Sequence, residues 1–131
     1  MNRLFVDTSG WYAFLTKEDA YESVQKLFLD KHTELLTSNA VFSELITLLI
    51  ARDHESVALA FGEKLREGSI CRIYRIVEED EENAWIILKK RRGRRLSYTD
   101  ATTVAFMNRI KLQKLVTLDH GFREFGFDIL P

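Results

Sequence analysis

The sequence predicts an α/β fold: one three-layer α/β/α sandwich with a central, mostly parallel five-stranded sheet, spanning residues 1–131 as a single domain. Short apolar runs alternate with helix-length segments along the whole chain, and strands separated by helices build right-handed βαβ units on a parallel sheet. A composition of 46% apolar and 11% aromatic residues over 131 positions is enough to bury a substantial core. One proline, Pro131, and six glycines leave no linker, low-complexity stretch or internal repeat to divide it.

The elements follow in order. "RLFVD" at 3–7 is a short buried strand. Helices are expected near 9–16 and 20–31, the second with Val24, Leu27 and Phe28 at helical spacing. "ELLTS" at 34–38 is the second strand, and "NAVFSELITLLIARD" at 39–53 an apolar helix. A helix over 55–67 runs to Gly68, and a third strand is expected at 69–76. That strand mixes Arg72 and Arg75 with apolar residues, which places it at a sheet edge. The next helix, 79–92, has acids in its first turn and bases in its last, matching the helix macrodipole. After Gly93 come a helix at 98–110, the strand "KLVTL" at 114–118, a short helix near 120–124 and a last strand "GFDIL" at 126–130.

Charge and composition exclude several classes of function. Net charge is −1, so no global field draws the protein onto nucleic acid or membrane. The average hides two local runs: five consecutive acids from Glu78 to Glu82, and six basic residues among the seven from Lys89 to Arg95. A single cysteine, Cys71, permits neither an internal disulfide nor a cysteine-based zinc cluster, and it reads as a small buried residue of the third strand. Asp7 interrupts the first apolar residues before a signal-peptide core forms, and no apolar stretch approaches the ~20 residues of a membrane span. A soluble, cytoplasmic protein without membrane contact is expected. Neither a Walker loop nor a Gly-x-Gly-x-x-Gly pattern is present, which argues against a nucleotide cofactor.

Four acids occupy positions where an open α/β sheet places its sites, at the carboxyl ends of strands near a switch in strand order. Asp7 follows the first strand and Asp119 the fourth; Glu44 lies in the apolar helix after the second; Asp100 opens the helix before the fourth. Each also has an ordinary reading. Ser97 and Asp100 form a Ser-x-x-Asp capping box, "DTSG" after the first strand is good turn chemistry, and Asp119 suits a cap for the short helix after it. Glu44 is harder to dismiss, because a carboxylate in a largely apolar helix is costly to bury unless it is paired or metal-bound. Capping and turn formation leave the shared placement of all four unexplained.

If these carboxylates converge, the site is all oxygen and suits a hard cation, Mg²⁺ or Mn²⁺, rather than zinc. Such a cation acidifies a bound water and neutralises charge on a phosphate. The chemistry expected is hydrolysis of a phosphate ester.

In order and spacing, "LFVDTSGWYAFL", "SNAVFSELITLL", "LSYTDATTVAFM" and "LVTLDHGF" resemble the four acidic motifs of the PIN-domain nucleases, most closely the VapC-type toxins of toxin–antitoxin pairs. The resemblance runs essentially from end to end. It implies strand order 3-2-1-4-5, Mg²⁺/Mn²⁺-dependent cleavage of RNA, a cognate antitoxin protein as partner and a homodimer. It places Asp7, Glu44, Asp100 and Asp119 on the family's four acids, as catalytic residues and metal ligands. Asp7 and Asp100 fall on the direct ligands, while Glu44 and Asp119 would act through water, a second ion or the nucleophile. Thr8 and Ser9 match small polar residues that support the first acid. His120 falls on a variable position and is expected to be exposed.

The basic run has two readings: a solvated helix end, or a phosphate-binding strip beside the site in which Arg91, Arg92, Arg94 and Arg95 position an RNA backbone without reading its sequence. Trp11, Tyr12 and Phe14 read as core or interface residues, with stacking on RNA bases as the alternative. If Trp11 and Phe14 are partly exposed, they would suit a homodimer contact or a groove for an antitoxin helix.

Other classes fit less well. A haloacid-dehalogenase-like phosphatase needs a second acid two residues after Asp7, where Ser9 stands. A receiver domain needs adjacent early acids and an aspartate after the third strand, and has neither here. A non-catalytic PIN-fold binding protein, a DNA nuclease and a free-standing RNA-processing enzyme remain the alternatives.

Overall fold

The computed structural model describes residues 2–17 and 19–131. Among them the chain runs β1 (Asn2–Val6), α1 (Thr8–Thr16), α2 (Tyr21–Leu29), β2 (Thr33–Ser38), α3 (Asn39–Ala51), α4 (Glu55–Glu67), β3 (Arg72–Tyr74), α5 (Glu78–Lys90), α6 (Tyr98–Ile110), β4 (Lys114–Val116), a 3-10 helix (His120–Phe125) and β5 (Asp128–Leu130). The five strands form one sheet in the order β3-β2-β1-β4-β5, and all four pairings are parallel. β3 is an edge strand, in keeping with its arginines. Among the described residues no helix is long and apolar enough to cross a membrane.

The order fixes the layers. The crossovers from β1 to β2 to β3 step one way across the sheet, and the connection from β3 to β4 returns past β1. With right-handed crossovers, α1–α4 cover one face and α5–α6 the other. β1 shows both faces in consecutive residues. Phe5 packs on Phe106 of α6 at 5.7 Å between ring centroids, whereas Val6 meets α1 at Gly10. On the α1 face, fully buried Trp11 lies 5.0 Å from Phe28 and 5.4 Å from Phe61. Trp11 is therefore core and contributes to no surface groove. Phe14, half-buried, stacks on Tyr21.

On the opposite face α5 is locked to α6 through Asp80. This buried carboxylate accepts hydrogen bonds from Arg109 Nε at 2.7 Å and Nη2 at 3.1 Å, and from the Val77 backbone N–H at 3.0 Å. The pair closes the connection that carries the chain back across the sheet.

Several elements are shorter than their patterns predict, for physical reasons. β3 covers 72–74 rather than 69–76 because the Ile76 N–H turns out of the sheet to the Asn39 side chain at 2.7 Å. Cys71 is buried as expected but precedes the strand. β4 stops at Val116 because the next free backbone donors go to side chains: Leu118 N–H to Ser9 Oγ and Asp119 N–H to Thr117 Oγ1. Asp119 consequently lies three residues beyond the strand, not immediately after it. α2 stops at Leu29, where Asp30 accepts from the His32 N–H and starts a turn. α5 ends at Lys90, so Arg91–Arg95 form a turn, with Gly93 at φ +86° and Arg95 at φ +54°.

Gly10 sets how closely α1 sits on the sheet. A Cβ there would lie 3.0 Å from the Val116 carbonyl oxygen and 3.2 Å from Val6 and Val116 side-chain carbons. Alanine is worth about 0.8–1 kcal/mol over glycine inside a helix, but overpacking typically costs about 1–3 kcal/mol, and a strand carbonyl cannot rotate away. Gly10→Ala is therefore expected to lower stability by about 1 kcal/mol in urea unfolding, against its helix propensity. A stabilised variant would show slack between α1 and the β1–β4 edge.

Candidate active site

β1 and β4 are neighbours at the point where strand order reverses, and their carboxyl ends open a crevice. The Asp7 N–H donates to the Val116 carbonyl at 3.0 Å, which continues the pairing one residue past β1. Asp7 then enters α1 as its N-cap residue, but its side chain makes no cap hydrogen bond, so the turn-forming reading fails. The carboxylate is instead held across the two strands. The Thr117 hydroxyl donates to Asp7 Oδ2 at 3.0 Å, and Ser9 Oγ is in marginal range at 3.5 Å. Ser9 and Thr117 hydroxyls are 3.1 Å apart, and Ser9 Oγ accepts from the Leu118 N–H at 2.9 Å. Two buried oxygens beside this network have no partner among the described residues: Asp7 Oδ1 and Thr8 Oγ1. An unpaired buried carboxylate oxygen is costly, and Asp7 is one of the residues lining an open cleft.

The other three acids line the same cleft, which encloses about 390 Å³. Glu44 reaches it from the second turn of α3, whose start is fixed by the Ser38 side chain accepting from the Val41 N–H at 3.1 Å. Asp100 forms the expected capping box: its N–H donates to Ser97 Oγ at 3.0 Å, and its Oδ2 accepts from the Ser97 N–H at 3.2 Å. Asp119 caps the 3-10 helix, its Oδ1 accepting from the Gly121 N–H at 2.9 Å. Capping and site membership are therefore compatible. Each cap occupies one carboxylate oxygen, and Asp100 Oδ1 and Asp119 Oδ2 make no hydrogen bond among the described residues.

The four charges act on one another. Burial, reinforced by the charge of Asp100 and then Glu44, pushes the Asp7 carboxyl up to about 7 against the opposing Thr117 hydrogen bond. Asp100 is raised too, first by burial and then by the charges of Glu44 and Asp119, with the Ser97 hydrogen bonds opposing. Burial is the larger cause in both, and the neighbouring carboxylates add to it. Among the described residues no three acidic, histidine or cysteine side chains form a ready-made metal cage. Mg²⁺ does not need one, since it keeps several waters and is commonly held by one or two carboxylates. All-oxygen donors, the unpaired Asp7 Oδ1 and the raised carboxyls fit a hydrated hard cation.

Three residues at the site were not expected there. Thr117 was legible only in register: Phe5 pairs with Leu115 and Val6 with Val116, so the next pair is Asp7 with Thr117. Tyr12 and Arg52 line the cleft: Tyr12, expected in the core or at an interface, opens onto the site instead, and no local pattern marked Arg52. Within the basic run, Arg91 and Arg94 pair with Glu124 at 3.0 and 3.2 Å, and Arg91 lies over the Phe125 ring. Arg92 and Arg95 are exposed, as is His120.

Between about pH 4 and 7 the folded protein holds a proton on Asp7 that the unfolded chain has released. The stability this group contributes is thus fully present below pH 4 and lost as pH rises through 7, by up to about 1.4 kcal/mol per unit. Asp7→Asn removes that dependence. Melts in EDTA should show the variant gaining on wild type from pH 4.5 to 7.5 and exceeding it at the top of the range. Parallel curves would mean that Asp7 ionises in the ordinary carboxylate range.

Comparison with known proteins bears on the family and the fold. The 23S rRNA-specific endonuclease VapC20 of Mycobacterium tuberculosis is 33% identical over 125 residues, 95% of each chain. Its crystal structure, described as that of a sarcin–ricin loop cleaving toxin, superposes with a TM-score of 0.87 at 31% identity, covering 98% of this chain and 99% of that one. VapBC2 from Rickettsia felis matches at a TM-score of 0.71 over 98% of this chain and 99% of its own, and at 14% identity shares the fold alone. The PIN domain profile matches residues 4–128, and the chain belongs to the PIN domain family.

Proposed function

We propose that this protein is a Mg²⁺- or Mn²⁺-dependent endoribonuclease, the toxin of a toxin–antitoxin pair, with structured ribosomal RNA as its substrate class. The observation that carries the reading is the convergence of Asp7, Glu44, Asp100 and Asp119 on one cleft with a buried Asp7 oxygen unpaired. The similarity to a 23S rRNA-specific endonuclease over 95% of both chains supports the substrate class. Neighbours of the same fold include toxin–antitoxin complexes, which supports an antitoxin partner.

Asp7 and Asp100 are the direct cation ligands in this reading, one through its unpaired Oδ1 and the other through the oxygen its cap leaves free. When bound, the cation supplies an acidified water and offsets charge on the scissile phosphate. Thr117 and Ser9 hold Asp7 in a single orientation, and Thr8 offers its hydroxyl to the same space. Glu44 and Asp119 serve through water, Asp119 from the exposed rim. Of the basic run, Arg92 and Arg95 are free to contact RNA backbone, while Arg91 and Arg94 fasten the turn to Glu124.

A homodimer is part of the proposal. Exposed acids Glu78, Glu79, Glu81 and Glu82 occupy one end of α5, exposed Lys89 and Lys90 the other, and Trp85 and Ile86 are exposed between them. Two copies of this helix laid antiparallel about a two-fold axis would match acid to base around an apolar centre.

Purified protein is expected to cut intact bacterial ribosomal RNA at a discrete position. Excess EDTA should stop the reaction, Mn²⁺ should restore it, and Asp7→Asn and Asp100→Asn should each remove it while keeping a folded circular-dichroism spectrum. Cleavage that persists in EDTA would overturn the metal-dependent reading.

A further inference from the structure

We infer that Tyr12 and Arg52, with His54 behind them, form a nucleotide subsite in the cleft, where Arg52 holds an RNA phosphate adjacent to the one being cut. The inference rests on the proposed RNA-cleaving activity and adds to it a recognition element outside the four acids. Arg52 is the one basic residue lining the cleft among the described residues. Its guanidinium carbon lies 5.1 Å from the Tyr12 ring centroid, and the His54 ring meets Tyr12 edge-on at 6.2 Å and 76°.

The backbone fixes this arrangement. Arg52 is the C-cap of α3, its N–H donating to the Leu48 and Leu49 carbonyls. Asp53 takes φ +65°, and the His54 N–H returns to the Leu49 carbonyl at 2.8 Å. The helix is therefore closed immediately at Arg52, and the side chain starts from a rigid point beside Tyr12.

Arg52 also differs from the arginines that serve a visible structural purpose. Arg109 is bound to Asp80, Arg91 and Arg94 to Glu124, and Arg3 lies near Glu34. The Arg52 guanidinium has no carboxylate partner and makes no hydrogen bond among the described residues. Stacked on Tyr12, it keeps its N–H edge free, and that edge matches the oxygens of a phosphate in a fork.

The need for such a group follows from the electrostatics. Four carboxylates facing one cleft repel a polyanion along its whole path. A cation at the acids offsets one phosphate, and the neighbouring phosphate needs a second positive group within the cleft. Arg52 is the chain's own candidate there, and the stacked pair gives a flanking base a flat surface to lie on.

The test uses a sarcin–ricin loop hairpin RNA and intact ribosomal RNA, with Arg52→Gln and Arg52→Lys in the full chain. Arg52→Gln is expected to raise KM for cleavage roughly tenfold, the loss of about one charge-assisted contact, with turnover at saturating RNA within about twofold of wild type. In the inactive Asp7→Asn background it should flatten the slope of log affinity against log salt by about 0.7. Arg52→Lys should keep that slope and recover part of the KM. Melting temperature and Mn²⁺ affinity should not move. Wild type that cuts neither RNA overturns the nuclease reading itself. Wild type that cuts, with Arg52→Gln leaving KM and salt slope unchanged, overturns the subsite alone. A fall in turnover together with melting temperature, at constant salt slope, assigns Arg52 to packing and overturns the subsite as well.

Discussion

Asp7 Oδ2 and Thr117 Oγ1 lie 3.0 Å apart across the junction of β1 and β4, and the layout of the molecule depends on that contact being possible. It requires β1 and β4 to be parallel neighbours, which in turn requires the chain to cross the sheet and return. The return is made by α5 and α6, clamped by Arg109 on buried Asp80. It also requires α1 to start directly over the junction, where Gly10 leaves no room for a Cβ. The strand ends yield their backbone donors to the same network, so β4 is short because the site is there.

A buried carboxylate with one oxygen satisfied and one bare is not a stable resting arrangement for an isolated chain. Glu44, Asp100 and Asp119 worsen it, since each adds negative charge to a cleft where Arg52, stacked on Tyr12, is the one basic lining residue described. The fold carries this cost through double use of side chains. Asp100 and Asp119 each stabilise a helix start with one oxygen and keep the other unpaired among the described residues, so part of the repulsion is offset by capping that any helix needs. A divalent cation held there would offset the remainder, so the electrostatics fit the metal dependence that is general in the PIN domain family.

Much of this was legible in the sequence. Apolar periodicity located every strand and helix, and the strand-end positions of four acids pointed to a common rim. Element lengths were not legible, because they are decided by side chains remote in sequence: Asn39 takes the Ile76 N–H, and Ser9 takes that of Leu118. The pairing of Arg91 and Arg94 with Glu124 is of the same kind, and it occupies two of the four arginines of the basic run. Trp11 was legible as core or interface but not as one of the two, and it lies fully buried between Phe28 and Phe61. The choice posed for Asp100, cap or ligand, assumed one role per carboxylate, whereas two oxygens allow both.

The claim that the acid cluster exists to hold a hard divalent cation is tested most directly by calorimetric titration of Mn²⁺ into the metal-free protein at neutral pH. Saturable binding is expected in wild type, lost in both Asp7→Asn and Asp100→Asn and kept in Leu29→Ala, whose exposed side chain lies outside the cleft. No saturable heat with wild type, or equal binding by the Asp7 and Asp100 variants, would contradict it.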